Sequence, residues 1–140
     1  INMVITSTGA GNAVTKVIPS LAGKLSANAV RVPTPNVSLA ILKLSLNSTT
    51  SKDDINSTMK DAALKGSLVN QIHYQVDPEL VSTDIIGDSC CSVFDSNATI
   101  CTEEGKDVVL YVWYDNEFGY TKQVIRLAKL IAKVRRLTYY

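Results

Sequence analysis

The sequence lacks an excess of charge of either sign: Lys and Arg number 14 against 13 Asp and Glu, a net charge of +1. That balance supplies no general attraction to nucleic acid or to an acidic membrane surface, so neither is an expected partner. No apolar run approaches the ~20 residues that a membrane-spanning helix requires. The three cysteines, Cys90, Cys91 and Cys101, form no Cys-x-x-Cys, and a single histidine, His73, accompanies them. A zinc site therefore has no support, and no metal is expected. An odd cysteine count with a vicinal pair also speaks against a secreted disulfide framework and for a reducing cytoplasm. Four Asn-x-Ser/Thr patterns, at Asn36, Asn47, Asn56 and Asn97, read as chance matches in a Ser- and Asn-rich chain. The Gly-rich phosphate loops of the GxGxxG and Walker types are missing, as are internal repeats and low-complexity stretches. The opening Ile1-Asn2-Met3 carries neither an initiator Met nor a signal-peptide core, and Ile1 is expected to be a cut in something longer.

What is present is a chain of 140 residues, 46% hydrophobic and 19% charged. That excludes disorder and suffices for one domain, residues 1–140, but not for two ordinary ones. After Ser7-Thr8-Gly9-Ala10, the apolar stripe Val14, Val17, Ile18 and Leu21 predicts a helix that ends near Pro19 and Gly23. Ala27 to Val32 reads as a strand, closed by the kink of Pro33 and Pro35. Val37 to Asn47 is the longest strand candidate. Its apolar phase slips from Val37, Leu39 and Ile41 to Leu42, Leu44 and Leu46, which predicts a bulge or a first half buried on both faces.

Ser51-Lys52-Asp53-Asp54 opens a second helix with Ile55, Met59 and Ala62 or Ala63 inward and Gly66 at its end. Short strand-like pieces follow at 69–76, 81–86, 90–94 and 98–101. Val108 to Trp113 is continuously apolar, as a central strand covered on both faces would be. A last helix is expected from about Phe118 to Arg136, with Val124, Leu127, Ile131 and Val134 on one stripe. Three helices and six or seven strands leave room for few βαβ units. The expected fold class is α+β, a mixed and mainly antiparallel sheet with helices on one face. Cover for the second face would come from another subunit or from further sequence.

Three constellations could carry chemistry. Ser7-Thr8-Gly9 sits where a helix begins, so its hydroxyls and unpaired amides could hold an anion; the same tripeptide also reads as an ordinary N-cap. Arg31, at a strand end, offers a five-donor fork suited to phosphate or carboxylate, and equally suits a surface ion pair. Trp113-Tyr114-Asp115-Asn116-Glu117-Phe118-Gly119-Tyr120 leaves a strand and enters a helix. Asn116 could donate to and accept from a planar heterocyclic amide, or serve as a cap. Ser89-Cys90-Cys91-Ser92 reads as structural, because a nucleophilic cysteine wants a base or a helix N-terminus beside it. His73, within QIHYQV, reads as a wall residue.

The segments STGA at 7–10, RVPTPNVS at 31–38 and WYDNEFGY at 113–120 resemble the phosphorylating glyceraldehyde-3-phosphate dehydrogenase family, in the order and spacing of its catalytic domain. The tail KVRRLTYY resembles a bacterial variant. The resemblance implies that Thr8, Gly9 and Arg31 bind inorganic phosphate and that Asn116 hydrogen-bonds the nicotinamide carboxamide of NAD or NADP. Tyr120 would lie beside the cofactor, and Tyr114 would line the site. The resemblance also implies that the nucleophilic Cys, its His and the Rossmann domain lie upstream of Ile1, so this chain holds no catalytic residue and is inactive alone. The implied reaction is the glycolytic conversion of glyceraldehyde 3-phosphate to 1,3-bisphosphoglycerate, in a cytoplasmic homotetramer. A non-catalytic module on the same fold and an erythrose-4-phosphate dehydrogenase are the alternatives.

Overall fold

The structure, a computed structural model, describes residues 1–134 and divides the chain into two compact units, Ile1–Pro35 and Asn36–Tyr140. In the first, β1 (Val4–Ser7) pairs antiparallel with β2 (Asn28–Arg31), in a register that sets Ser7 opposite Asn28 and Val4 opposite Arg31. Between them lie α1 (Ala10–Val17) and a 3-10 turn at Pro19–Leu21, where proline ends the helix as the sequence predicts. Strand β1 is an addition: four residues are too few to show a period, and its partner lies more than twenty positions away. Among the described residues of this unit none is buried.

The second unit is α+β. Its five-stranded sheet runs β3 (Ser38–Ser45), β7 (Asp107–Tyr114), β5 (Ser92–Asp95) and β4 (Ile72–Gln75), with the short β6 (Ile100–Cys101) also on β7. The β3–β7, β5–β7 and β6–β7 pairs are antiparallel and β4–β5 is parallel, so the sheet is mixed and mainly antiparallel. Helix α2 (Lys52–Leu64) packs against β4. It is capped by Ser51, whose hydroxyl accepts the Asp54 amide at 3.1 Å. Ile55, Met59, Ala62 and Ala63 are half-buried, on the face expected to point inward. Helix α3 (Phe118–Ile131) follows β7.

Several expectations are corrected. Strand β3 pairs with β7 without interruption from Ser38–Tyr114 to Ser45–Asp107, so the slip in apolar phase is not a bulge. Nor is its first half buried on both faces, since Leu39 is 37% and Ile41 60% exposed. Residues 81–86 form a 3-10 turn at Ser82–Ile85 rather than a strand, because the Asp84 carboxylate takes the Val81 amide at 2.9 Å. Strand β5 begins at Ser92, which leaves Cys90 and Cys91 in the preceding loop. Strand β7 is central, yet of VVLYVW only Val108 is fully buried. The α3 stripe is exposed, from 49% at Val124 to 73% at Ile131. Arg135 and Arg136 lie outside the described residues.

The core sits at the β5–β7 junction. Ile85, Val93, Phe94 and Val108 are the fully buried apolar side chains among the described residues, each contributing about 1.5–3 kcal/mol by burial. Register puts Phe94, Val112 and Ala40 on one sheet face and Val93, Trp113 and Leu39 on the other. That second face is closed at Val93 and bare at Leu39 and Ile41.

Candidate active site

Where β7 hands over to α3, the chain must satisfy the first amides of a helix, and two neighbouring residues, Asp115 and Asn116, could do so. The structure gives that task to Asp115. Its Oδ1 accepts the Glu117 and Phe118 amides, both at 2.9 Å, and its Oδ2 accepts the Gly87 amide at 2.9 Å. The carboxylate is buried, with 3% exposure. The Gly87 and Phe118 amides, aided by the Asn36 side chain and the Glu117 amide, outweigh the cost of burial and hold its pKa at about 2, below the ordinary 3.8. Gly87 adopts φ +84°, a left-handed conformation that glycine reaches without strain.

With the cap supplied by its neighbour, Asn116 remains exposed. It lies at a depression of about 310 Å³ lined also by Cys91, Tyr114, Asp115, Gly119, Tyr120 and Gln123. Tyr120 is 71% exposed, and Tyr114 is half-buried. The floor is close-packed, because a Cβ on Gly119 would come within 3.1 Å of the Cys90 carbonyl oxygen. Gln123 was not anticipated from the sequence. Its spacing of three and four residues from Tyr120 and Gly119, one face of a helix, is the signal that marks it.

In the first unit the Ala10 amide donates to the Thr8 hydroxyl at 3.2 Å and the Ala13 amide to the Gly9 carbonyl at 3.0 Å. Thr8 thus takes part in the helix start, while the approach to Gly9 is open, with no atom within 4 Å of where a Cβ would stand. Arg31 closes the opposite end of the β1–β2 ribbon, three register steps from Ser7. At strand rise that is about 10 Å. Val4 opposite Arg31 and Thr6 opposite Ala29 share one ribbon face.

The other candidates show different chemistry. His73 Nδ1 is 2.6 Å from Asp88 Oδ2, and Asp88 Oδ1 accepts the Cys90 amide at 2.8 Å. Burial, followed by the Asp88 charge, pushes the Cys90 thiol up to about 11, the reverse of what a nucleophile needs. Among the described residues no group of three or more His, Cys, Asp or Glu could hold a metal ion. None of the described helices is long and apolar enough to cross a membrane.

Comparison with known proteins bears on the whole arrangement. Residues 1–116 match the family described as glyceraldehyde 3-phosphate dehydrogenase, C-terminal domain. A glyceraldehyde-3-phosphate dehydrogenase-like protein of Pseudomonas aeruginosa is 50% identical over 134 residues, covering 96% of this chain and 29% of that protein. Glyceraldehyde-3-phosphate dehydrogenase 2 of Synechocystis is 45% identical over 134 residues, 95% of this chain and 39% of the relative. Glyceraldehyde-3-phosphate dehydrogenase 1 of Bacillus subtilis is 45% identical over 132 residues, 94% and 38% respectively. The chain thus spans between 29% and 39% of the length of these relatives. With 116 of its 140 residues matched, this chain belongs to the C-terminal domain family of glyceraldehyde 3-phosphate dehydrogenase.

Proposed function

We propose that this chain is the C-terminal part of the catalytic domain of a phosphorylating glyceraldehyde-3-phosphate dehydrogenase. The complete protein would convert glyceraldehyde 3-phosphate to 1,3-bisphosphoglycerate in cytoplasmic glycolysis. One observation carries the reading: Asp115 satisfies the helix start, so the Asn116 amide is left at the mouth of an open depression. A carboxamide on a flat ring fits such a place, since one amide pairs with another by donating and accepting at once. Bound there, NAD or NADP would supply the hydride acceptor. Asn116 would orient the carboxamide, Tyr120 would flank the ring and Tyr114 would line the wall.

In the other unit, the open Gly9, the Thr8 hydroxyl and the first amides of α1 would receive inorganic phosphate, with the Arg31 guanidinium balancing its charge. The thiolate that adds to the aldehyde, and the His that takes its proton, would come from sequence preceding Ile1, as would the Rossmann domain. The bare sheet strip at Leu39 and Ile41 would be covered by a neighbouring subunit of a homotetramer.

The test uses the complete protein. Asn116→Ala raises the cofactor KM about tenfold, whereas Thr8→Ala and Arg31→Ala raise the phosphate KM and leave the cofactor KM in place. Exchange of the two effects, or their absence, overturns the assignment. The isolated 140-residue chain shows no turnover, and measurable turnover overturns that part. A non-catalytic module on the same fold is the second reading. It holds if the preceding sequence lacks a Ser-Cys-Thr-Thr-Asn segment and a His. Rates with erythrose 4-phosphate beside glyceraldehyde 3-phosphate fix the substrate.

A further inference from the structure

Asp115 lines the same depression as Asn116 and is the buried charge nearest to it, yet the proposed function gives it no contact with cofactor or phosphate. It joins three separate stretches of chain. Its Oδ1 takes two amides of the α3 start at 2.9 Å, its Oδ2 takes the Gly87 amide at 2.9 Å, and the Asn36 side chain, two residues before β3, also favours its ionised form. The loop held through Gly87 continues to Cys90, whose carbonyl bears on Gly119, and to Cys91, which lines the depression. Asn116 therefore directly follows a carboxylate that holds three backbone amides, two of them at the start of the helix that Asn116 leads into.

The backbone beside Asn36 is strained. The next residue, Val37, sits at φ +77°, where a β-branched side chain is strained, before β3 enters its register at Ser38 opposite Tyr114. We infer that Asp115 is a positioning residue, holding the Asn116 amide in the orientation that reads the nicotinamide carboxamide. The inference rests on the nicotinamide reading of Asn116.

Asp115→Asn keeps the size of the side chain but cannot serve all these donors, since its amide N–H groups then face the N–H of Gly87 or of α3. The complete protein is compared as wild type, Asp115→Asn, Asn116→Ala and the double variant, with cofactor KM, phosphate KM and kcat measured for each. Asp115→Asn raises the cofactor KM about fivefold or more with the phosphate KM unchanged, and the double variant matches Asn116→Ala alone, because a support has nothing left to hold. An unmoved cofactor KM in Asp115→Asn beside a raised one in Asn116→Ala overturns the positioning role and leaves the nicotinamide reading standing. So does a double variant in which the two effects multiply, or an equal rise in the phosphate KM. An unmoved cofactor KM in Asn116→Ala overturns the nicotinamide reading and the positioning role with it. If Asp115→Asn does not fold, Asn36→Ala removes the side chain that helps to hold this carboxylate ionised and is judged by the same comparisons, with an expected rise of about threefold.

Discussion

The amide of Gly87 donates to Asp115 Oδ2 at 2.9 Å across 28 residues of sequence, tying the loop after the 3-10 turn to the end of β7. That hydrogen bond favours the ionised carboxyl, together with those from Phe118 and Glu117 and the Asn36 side chain, and the folded pKa falls from 3.8 to about 2. The unfolded chain binds the proton more readily than the folded one, so this stabilisation is complete above about pH 4 and disappears as pH falls through about 2. Urea midpoints of wild type and Asp115→Asn, measured from pH 6 to pH 2, therefore converge at the acid end. A gap that stays constant over that range contradicts the assignment.

Gly105 is the tightest glycine among those described. It is buried at φ +69°, and a Cβ there would collide with the Thr50 carbonyl oxygen, next to the Ser51 cap of α2. Gly105→Ala destabilises by about 2–4 kcal/mol, combining left-handed strain with overpacking. Chemical denaturation measures it, and a loss within 0.5 kcal/mol would mean that the loop yields freely.

Cys90 should resist alkylation. With its pKa raised from 9.0 to about 11, its thiolate fraction at pH 8 is about a hundredfold smaller than that of an unperturbed thiol. Peptide mapping after iodoacetamide treatment reads the rate at each cysteine. Asp88→Ala removes the charge and side-chain contact that oppose ionisation and speeds labelling at Cys90. Labelling of Cys90 in the wild type as fast as a free thiol counts against the described environment.

Ile41 is 60% exposed on a β3 edge whose cross-strand partner is Tyr111. In the complete protein Ile41→Asp places a charge where a neighbouring subunit would pack, and light scattering then reports smaller species at micromolar concentration. A wild-type protein that is already monomeric, or a variant whose assembly is unaltered, removes the basis for the proposed interface.

Much of the outline was legible because its signals are local. Ser51 with Asp54 marks the start of α2, Pro19 ends α1, and the long apolar run of residues 37–47 marks β3. The 3-10 turn at Ser82–Ile85 escaped detection because a side-chain carboxylate competes for the backbone there, which apolar pattern does not register. Leu39 and Ile41 misled in another way. Two apolar phases in one strand predict cover on both faces, but not which molecule supplies the cover. The same holds for the α3 stripe of Val124, Leu127 and Ile131, exposed along its length.

At the site, the motif WYDNEFGY is enough to mark a strand-to-helix junction rich in polar and aromatic groups, and residue types alone limit it to caps and amide readers. The division of labour inside it required the tertiary structure. Asp115 and Asn116 are both competent caps, and what separates them is the Gly87 amide, 28 residues back, which gives a buried carboxylate a third donor and leaves the neighbouring amide exposed. Sequence determines what each residue can bond to over a few positions. Only the fold determines which distant donor arrives, because that follows from strand register and loop path.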